Sequence, residues 1–434
     1  PTPQVMIALS IFCRNATALL VGIAAAVAAG ELAGQRRGAP VLPPVTAPEA
    51  NPITGPKALL GKALFWDEQL SADDTVACGT CHRPASGGTD PRFRRHPGPD
   101  GKLLTRDDIF GSPGIAPPSD SKAKEERRPQ VTGRRATSAL DAMYAPALFW
   151  DGRATSKFLD PESGEVLIET GGALESQCLG PILNDVEMAH PGRDWTAVTK
   201  KLAHSRPLAL ATEIPGPLAA AAKSHADYAS WFAEVFEVDA SESVTAARIA
   251  FAIATYERTL VSDHTPYDRW AAGDDDAMTP SQVRGFGTFR RARCDECHTP
   301  PHFTDHAFRN IGVRPYREDS GRQQVTEAHA DRGKFKVPTL RNVGLRPRLM
   351  HNGEFDSLAN AVRFYHFSQR FGRERANNDP ILGRGLRIQP FALDESPLVD
   401  ATETLHDDGT GGQAQLCFFC RGNNSIKCGV IKLT

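Results

Sequence analysis

The sequence predicts a mainly α-helical protein organised as two similar domains with long loops between the elements. Three observations carry this. The pattern C-x-x-C-H occurs twice, at residues 78–82 and 294–298. Each copy follows a run with apolar residues at helical spacing, 58–65 and 281–289, so the two halves read as a diverged duplication. The chain has 434 residues, enough for two or three domains but too many for one small module.

Taken in order, residues 1–30 stand apart. Arg14 precedes an apolar run over 16–29 that ends in small side chains such as Ala26-Val27-Ala28, the pattern of a cleaved export signal. The run is shorter than the 18 or so apolar residues a membrane span requires, so no stable membrane insertion is expected after cleavage. The first domain is expected over 50–262. Within it the stretch 92–135, rich in Pro, Gly and charge, reads as an irregular surface loop. Residues 244–260 read as a helix with Val244, Ile249, Ala252, Ile253 and Tyr256 on one stripe, broken by Ser262-Asp263-His264-Thr265-Pro266. The boundary is therefore placed there, with a second domain over 263–395, a last returning helix at 396–408 and an atypical tail at 409–434 holding Cys417, Cys420 and Cys428.

Composition excludes several classes. With 40% hydrophobic and 24% charged residues the chain can bury sizeable cores, which disorder and polytopic membrane proteins do not match. Fifty Lys and Arg against 52 Asp and Glu leave a formal charge of -2, with no basic excess for a nucleic-acid partner.

The paired motif carries the chemistry. Two thiols three residues apart can form thioethers with the two vinyl groups of one porphyrin, and the adjacent His then reaches the iron. At this Cys and His content chance would give roughly 0.006 copies, so two copies are a signal. Cys78, Cys81 and His82 are thus expected to hold one haem c, and Cys294, Cys297 and His298 another, with His82 and His298 on the two irons. A zinc site would need pairs more than 200 residues apart to converge, and a redox dithiol needs no trailing His and follows a βαβ pattern that is missing here. Covalent haem attachment on the exported side of the membrane agrees with the signal, so the periplasm is the expected location.

Further stretches carry a resemblance. Residues 60–65 (Leu-Gly-Lys-Ala-Leu-Phe), 78–82 followed by 87–90 (Gly-Gly-Thr-Asp), 149–154 (Phe-Trp-Asp-Gly-Arg-Ala), 179–188 (Leu-Gly-Pro-Ile-Leu-Asn-Asp-Val-Glu-Met), and 335–343 followed by 350–353 (Met-His-Asn-Gly) occur in this order. Together they resemble the bacterial di-haem cytochrome c peroxidase and MauG family, over about 55–408. The resemblance implies two mostly helical c-type domains facing each other, one haem meeting hydrogen peroxide and the other relaying electrons. It implies Glu187 as the acid/base at the first haem, with Gln177 beside it and Trp150 between the haems. His96 is a candidate to cap the first iron in a resting state.

The second haem's sixth ligand separates the branches of that family. Peroxidases fed by a small cytochrome carry a thioether there and MauG-type enzymes a Tyr. Position for position this chain has Tyr365, with Met350 as the competitor. Tyr365 also continues an apolar stripe with Phe355, Leu358 and Val362. A phenolate lowers the iron's potential and stabilises high oxidation states. The expected function is therefore that of a MauG-like enzyme that uses peroxide to form a high-valent di-haem state and oxidise aromatic residues of a partner protein. The alternative is a cytochrome c peroxidase reducing peroxide with electrons from a small redox protein. The chain departs from the family in three places, one being the tail after residue 408, where Cys420 is followed by Arg421 and so is no haem site. Ala136 stands where the inter-haem calcium has an Asn, and Arg346 and Arg348 occupy its carbonyl turn, which counts against calcium. Ala292 replaces the Trp by which the methylamine-dehydrogenase maturation enzyme oxidises its partner, which counts against that partner.

Overall fold

The computed structural model describes residues 39–105, 107–117, 130–313 and 319–365 in full, and 366–371, 418–422 and 425–429 as backbone. The segments read above as an export signal (1–30) and a last helix (396–408), the end of the second domain (372–395), and most of the tail lie outside the described residues.

Short helices joined by long loops dominate. The first, α1 (Gly55–Trp66), starts where the Thr54 side chain accepts from the Lys57 amide, and it runs into the one-turn helix α2 (Cys78–Cys81). The stretch expected to be irregular contains an antiparallel pair, β1 (Arg94–His96) and β2 (Ile109–Gly111), with His96 opposite Ile109. A second small pair, β3 (Phe158–Leu159) and β4 (Val166–Ile168), precedes α3 (Ala173–Cys178). Three helices, α4 (Trp195–Ala203), α5 (Gly216–Ser224) and α6 (Tyr228–Phe236), lead to α7 (Ala246–Glu257). This last helix is shorter than its apolar stripe. Thr245 takes the cap, its hydroxyl accepting from the Arg248 amide, and so leaves Val244 outside.

The core of this half is Leu60 and Leu64 of α1, Tyr228 and Phe232 of α6, and Ile249, Ala252 and Ile253 of α7, all essentially inaccessible. The two long helices touch at Gly61, where a Cβ would stand 1.8 Å from the Ala252 carbonyl oxygen. Only Gly permits that approach.

The second half opens with α8 (Pro266–Ala272) and α9 (Pro280–Arg291), each started by a reciprocal cap, Thr265 with Asp268 and Thr279 with Gln282. Tyr267, Trp270, Val283, Phe286, Phe289 and Phe303 form its core, with Tyr267 and Phe303 edge to face at 4.9 Å. There follow β5 (Phe308–Arg309), the short α10 (Gln323–Thr326), β6 (Phe335–Lys336) paired with β5, α11 (Leu358–Phe371), and a hairpin of β7 (Phe418–Gly422) and β8 (Ser425–Gly429).

One turn recurs in the backbone beyond each motif. Asp141 (φ 60°) opens a 3₁₀ turn at Ala142–Tyr144, and Asn342 (φ 58°) opens one at Val343–Leu345. Eight residues on, Phe149 and Met350 both have positive φ, then Gly152 and Gly353, and each loop is closed by an isolated bridge, Leu148 to Ala154 and Leu349 to Phe355. The halves are locked together by charge. Arg134 of the first half donates two bonds to Asp319 of the second and one to Asp151, all at 2.6–2.7 Å.

Candidate active site

Two cavities hold the two motifs. The first, about 700 Å³, is walled by Cys78, Cys81 and His82 together with Gln177, Glu187, His96 and Trp150. The second, about 260 Å³, is walled by Cys294, Cys297 and His298 together with Met350 and Tyr365. Every site residue expected from sequence therefore lies on one of these walls. Trp150, Arg135, Ala136 and Thr137 border both cavities, so the two share a wall.

Each motif is turned so that its His amide bonds back to its first Cys, His82 to Cys78 at 3.1 Å and His298 to Cys294 at 2.9 Å. The first turn is α-helical. The second is a 3₁₀ turn entered from Arg293 with φ 61°. Each imidazole is fixed by its Nδ1 against a carbonyl, Gly88 at 3.2 Å for His82 and Phe303 at 3.1 Å for His298. Burial lowers both pKa values, against the opposing pull of those carbonyls, and so favours the neutral ring a metal requires.

In the first cavity, Glu187 sits at the end of a turn in which the Asn184 side chain accepts from the Val186 and Glu187 amides. Burial raises its carboxyl pKa, with Arg153 opposing. Gln177 projects from α3 into the same space. His96 belongs to β1, and its Nδ1 accepts from the Gly98 amide at 3.1 Å. His96 thus lies in a strand within the stretch expected to be irregular. Sequence reasoning missed Glu257, at the end of α7 in the same wall. Its Oε2 is buried without a hydrogen-bond partner, and burial pushes its pKa up to about 8. The signal was there, a carboxylate closing an otherwise apolar helix.

Trp150 donates from Nε1 to the Arg135 carbonyl at 2.8 Å and meets His351 edge to face at 6.3 Å, ring contacts that hold it in the dividing wall. In the second cavity Tyr365 is half-buried and shares the wall with the two thiols. Desolvation, and next the Cys297 and Cys294 thiols, push its phenol pKa up. Met350 has access to the same space, so position alone does not separate the two.

Two walls of this kind, each with two thiols and a backbone-anchored imidazole, can each hold a covalent porphyrin, and a buried acid beside one of them suits peroxide chemistry. Comparison with known proteins agrees. A sequence profile described as di-haem cytochrome c peroxidase matches residues 55–276. The methylamine utilization protein MauG of Methylophilus methylotrophus is 30% identical over 367 residues, 83% of this chain and 85% of that protein. The cytochrome c551 peroxidase of Nitrosomonas europaea is 30% identical over 315 residues, 72% and 73% of the two chains. Among solved structures, a MauG-like protein associated with microbial copper homeostasis superposes with a TM-score of 0.53 at 23% identity, over 75% of this chain and 80% of that one, which shows the shared fold. With half the chain under one family profile and these relatives along most of its length, the chain belongs to the di-haem cytochrome c peroxidase family of peroxide-using oxidoreductases.

Proposed function

We propose that this chain is a MauG-like enzyme, exported to the periplasm, that uses hydrogen peroxide to oxidise aromatic residues of a partner protein. The observation that carries the reading is Tyr365, which faces the cavity of the second motif together with Cys294, Cys297 and His298. A phenolate there suits storage of an oxidising equivalent, whereas a thioether suits electron uptake from a cytochrome.

In this reading Cys78 and Cys81 carry one haem c with His82 on its iron, and Cys294 and Cys297 carry the other with His298 and Tyr365. Bound haem supplies the iron that exchanges electrons with peroxide at the first cavity and with the partner at the second. The protein supplies the rest. Glu187, held protonated at higher pH than a free carboxyl, moves a proton between the peroxide oxygens. Gln177 orients peroxide in the same wall by hydrogen bonding. Gly88 and Phe303 fix the two imidazoles, and Trp150 places an oxidisable ring between the cavities. Calcium does not fit. Ala136 has no side-chain oxygen and shares its wall with Arg135, Arg346 and Arg348, a setting that repels a divalent cation.

Met350, in the same wall, favours the second reading, a peroxidase fed by a small cytochrome. One experiment separates them. The fully oxidised holoprotein is mixed with peroxide and followed optically, beside Tyr365→Met. The proposal expects wild type to react without prior reduction, and the variant to bind peroxide yet lose oxidation of aromatic residues. If wild type must first be half-reduced and turns over with reduced cytochrome, the peroxidase reading is correct.

A further inference from the structure

The two cavities differ in charge. The first is bordered by four carboxylates and three arginines. The second is bordered by six cations, Arg135, Arg293, Arg309, Lys336, Arg346 and Arg348, and one carboxylate, Asp141. Two of the six have carboxylate partners, a third lies over aromatic rings, and Arg135, held by carbonyls, has the Asp90 charge beside it. Arg293 pairs with Glu296 and Arg309 with Asp305, both at 2.6 Å; Arg135 donates to the Asp90 and Arg92 carbonyls; Arg348 covers the Phe93 and Phe110 rings.

Lys336 and Arg346 are different. Lys336 Nζ donates to the Ala147 carbonyl at 3.1 Å, and Arg346 donates to the carbonyls of Thr339 and Arg341 at 3.0 and 2.8 Å. Among the described residues no carboxylate lies within ion-pair distance of either. Arg346 Nε is buried with no hydrogen-bond partner, and so are both ring nitrogens of His306, which borders the same cavity and feels the Lys336 charge. Burial alone lowers Lys336 to about 8, and it lowers Arg346 to about 10 with Asp141 opposing. Carbonyl dipoles solvate a cation without neutralising it, and two uncompensated charges inside a protein are costly. Six cations therefore face one carboxylate, Asp141, in the wall that also carries the thiols and imidazole of the second motif.

We propose that Lys336 and Arg346 hold the two propionate carboxylates of the haem attached at Cys294 and Cys297, and that their charges raise the potential which the Tyr365 phenolate lowers. This rests on the reading that the second motif carries a haem. Both residues also reach the first half, Lys336 through the Ala147 carbonyl and Arg346 through its stem against Gly87, so the pairing couples the second haem's charge to the contact between the halves.

The test uses full-length holoprotein. Haem content by mass and pyridine haemochrome comes first, then spectroelectrochemical titration and resonance Raman of the propionate bending bands, for wild type, Arg346→Gln, Lys336→Gln and the charge-keeping Arg346→Lys and Lys336→Arg. Each Gln variant should shift the ferric/ferrous ratio of the second haem about tenfold toward ferric, because a lost cation no longer opposes the oxidised iron. Each should also move a propionate band, and the charge-keeping variants should restore most of the shift in potential. If Arg346→Gln does not fold, Lys336→Gln reads the same wall. Two haems per chain with unchanged potentials and bands in the Gln variants would overturn the proposal and leave the haem assignment standing. A potential that moves without any band moving would overturn the contact. One haem per chain would overturn the assignment itself.

Discussion

Arg258→Met tests the support behind the first cavity. Arg258 closes α7 and its side chain is 2% exposed; it donates to both carboxylate oxygens of Glu175 on α3, at 2.7 and 3.0 Å, and to the Gly171 carbonyl at 3.3 Å. Glu175 is fully buried, and without Arg258 its side chain keeps the bond from the Asn51 amide at 2.7 Å. Removing one partner of such a pair leaves an uncompensated buried charge, at a cost of about 3–5 kcal/mol. For a cooperative unit of 150–250 residues this lowers Tm by roughly 6–20 °C. The double variant Glu175→Met/Arg258→Met removes both charges and should recover most of the loss. Thermal unfolding of the single and double variants, followed by far-UV circular dichroism, measures both effects. A single-variant loss under about 1 kcal/mol, or a double variant no better than the single, would refute the reasoning that this pair holds α3 against α7.

Three further outcomes are expected. Glu187→Gln keeps size and polarity but removes the titratable group, so peroxide activation in stopped flow should slow by roughly 10²–10⁴; unchanged kinetics would give Glu187 a structural role only. Glu257, raised from 4.5 to about 8 in the folded state, binds more protons folded than unfolded, so stability should fall as pH rises across that window; Glu257→Gln should remove the slope and be the more stable form at pH 8 but not near pH 4.5, as denaturant titrations at both ends would show. Trp150→Phe keeps an aromatic ring in the shared wall but one harder to oxidise, and it should slow electron exchange between the two haems while leaving peroxide binding at the first cavity intact; equal rates in rapid-mixing spectra would remove Trp150 from the path.

The helices were largely legible because their stripes are local. The expected segments 58–65 and 281–289 became Gly55–Trp66 and Pro280–Arg291, longer at both ends because the caps, Thr54 and Thr279, sit outside the apolar run. The opposite happened at 244–260, where Thr245 capped the helix inside the stripe. The strands β1 and β2 were not legible. Three-residue pairs are set by a partner across a loop, and the composition of 92–135 hides them.

What the sequence by itself determined is the attachment chemistry. Two thiols and an imidazole that could bracket one porphyrin edge are contiguous in Cys78-Cys81-His82 and in Cys294-Cys297-His298, so that pattern is readable without the fold. What only the tertiary structure decided is the surroundings. It brought His96, Gln177, Glu187 and Glu257 to one cavity and Met350 and Tyr365 to the other, put Trp150 in the wall between, and left Lys336 and Arg346 facing the second cavity with no carboxylate of the described residues at ion-pair distance. Desolvation and counter-charge are sums over contacts between residues far apart in the chain, such as Lys336 with Ala147 or Arg258 with Glu175. No local pattern in the sequence encodes such sums.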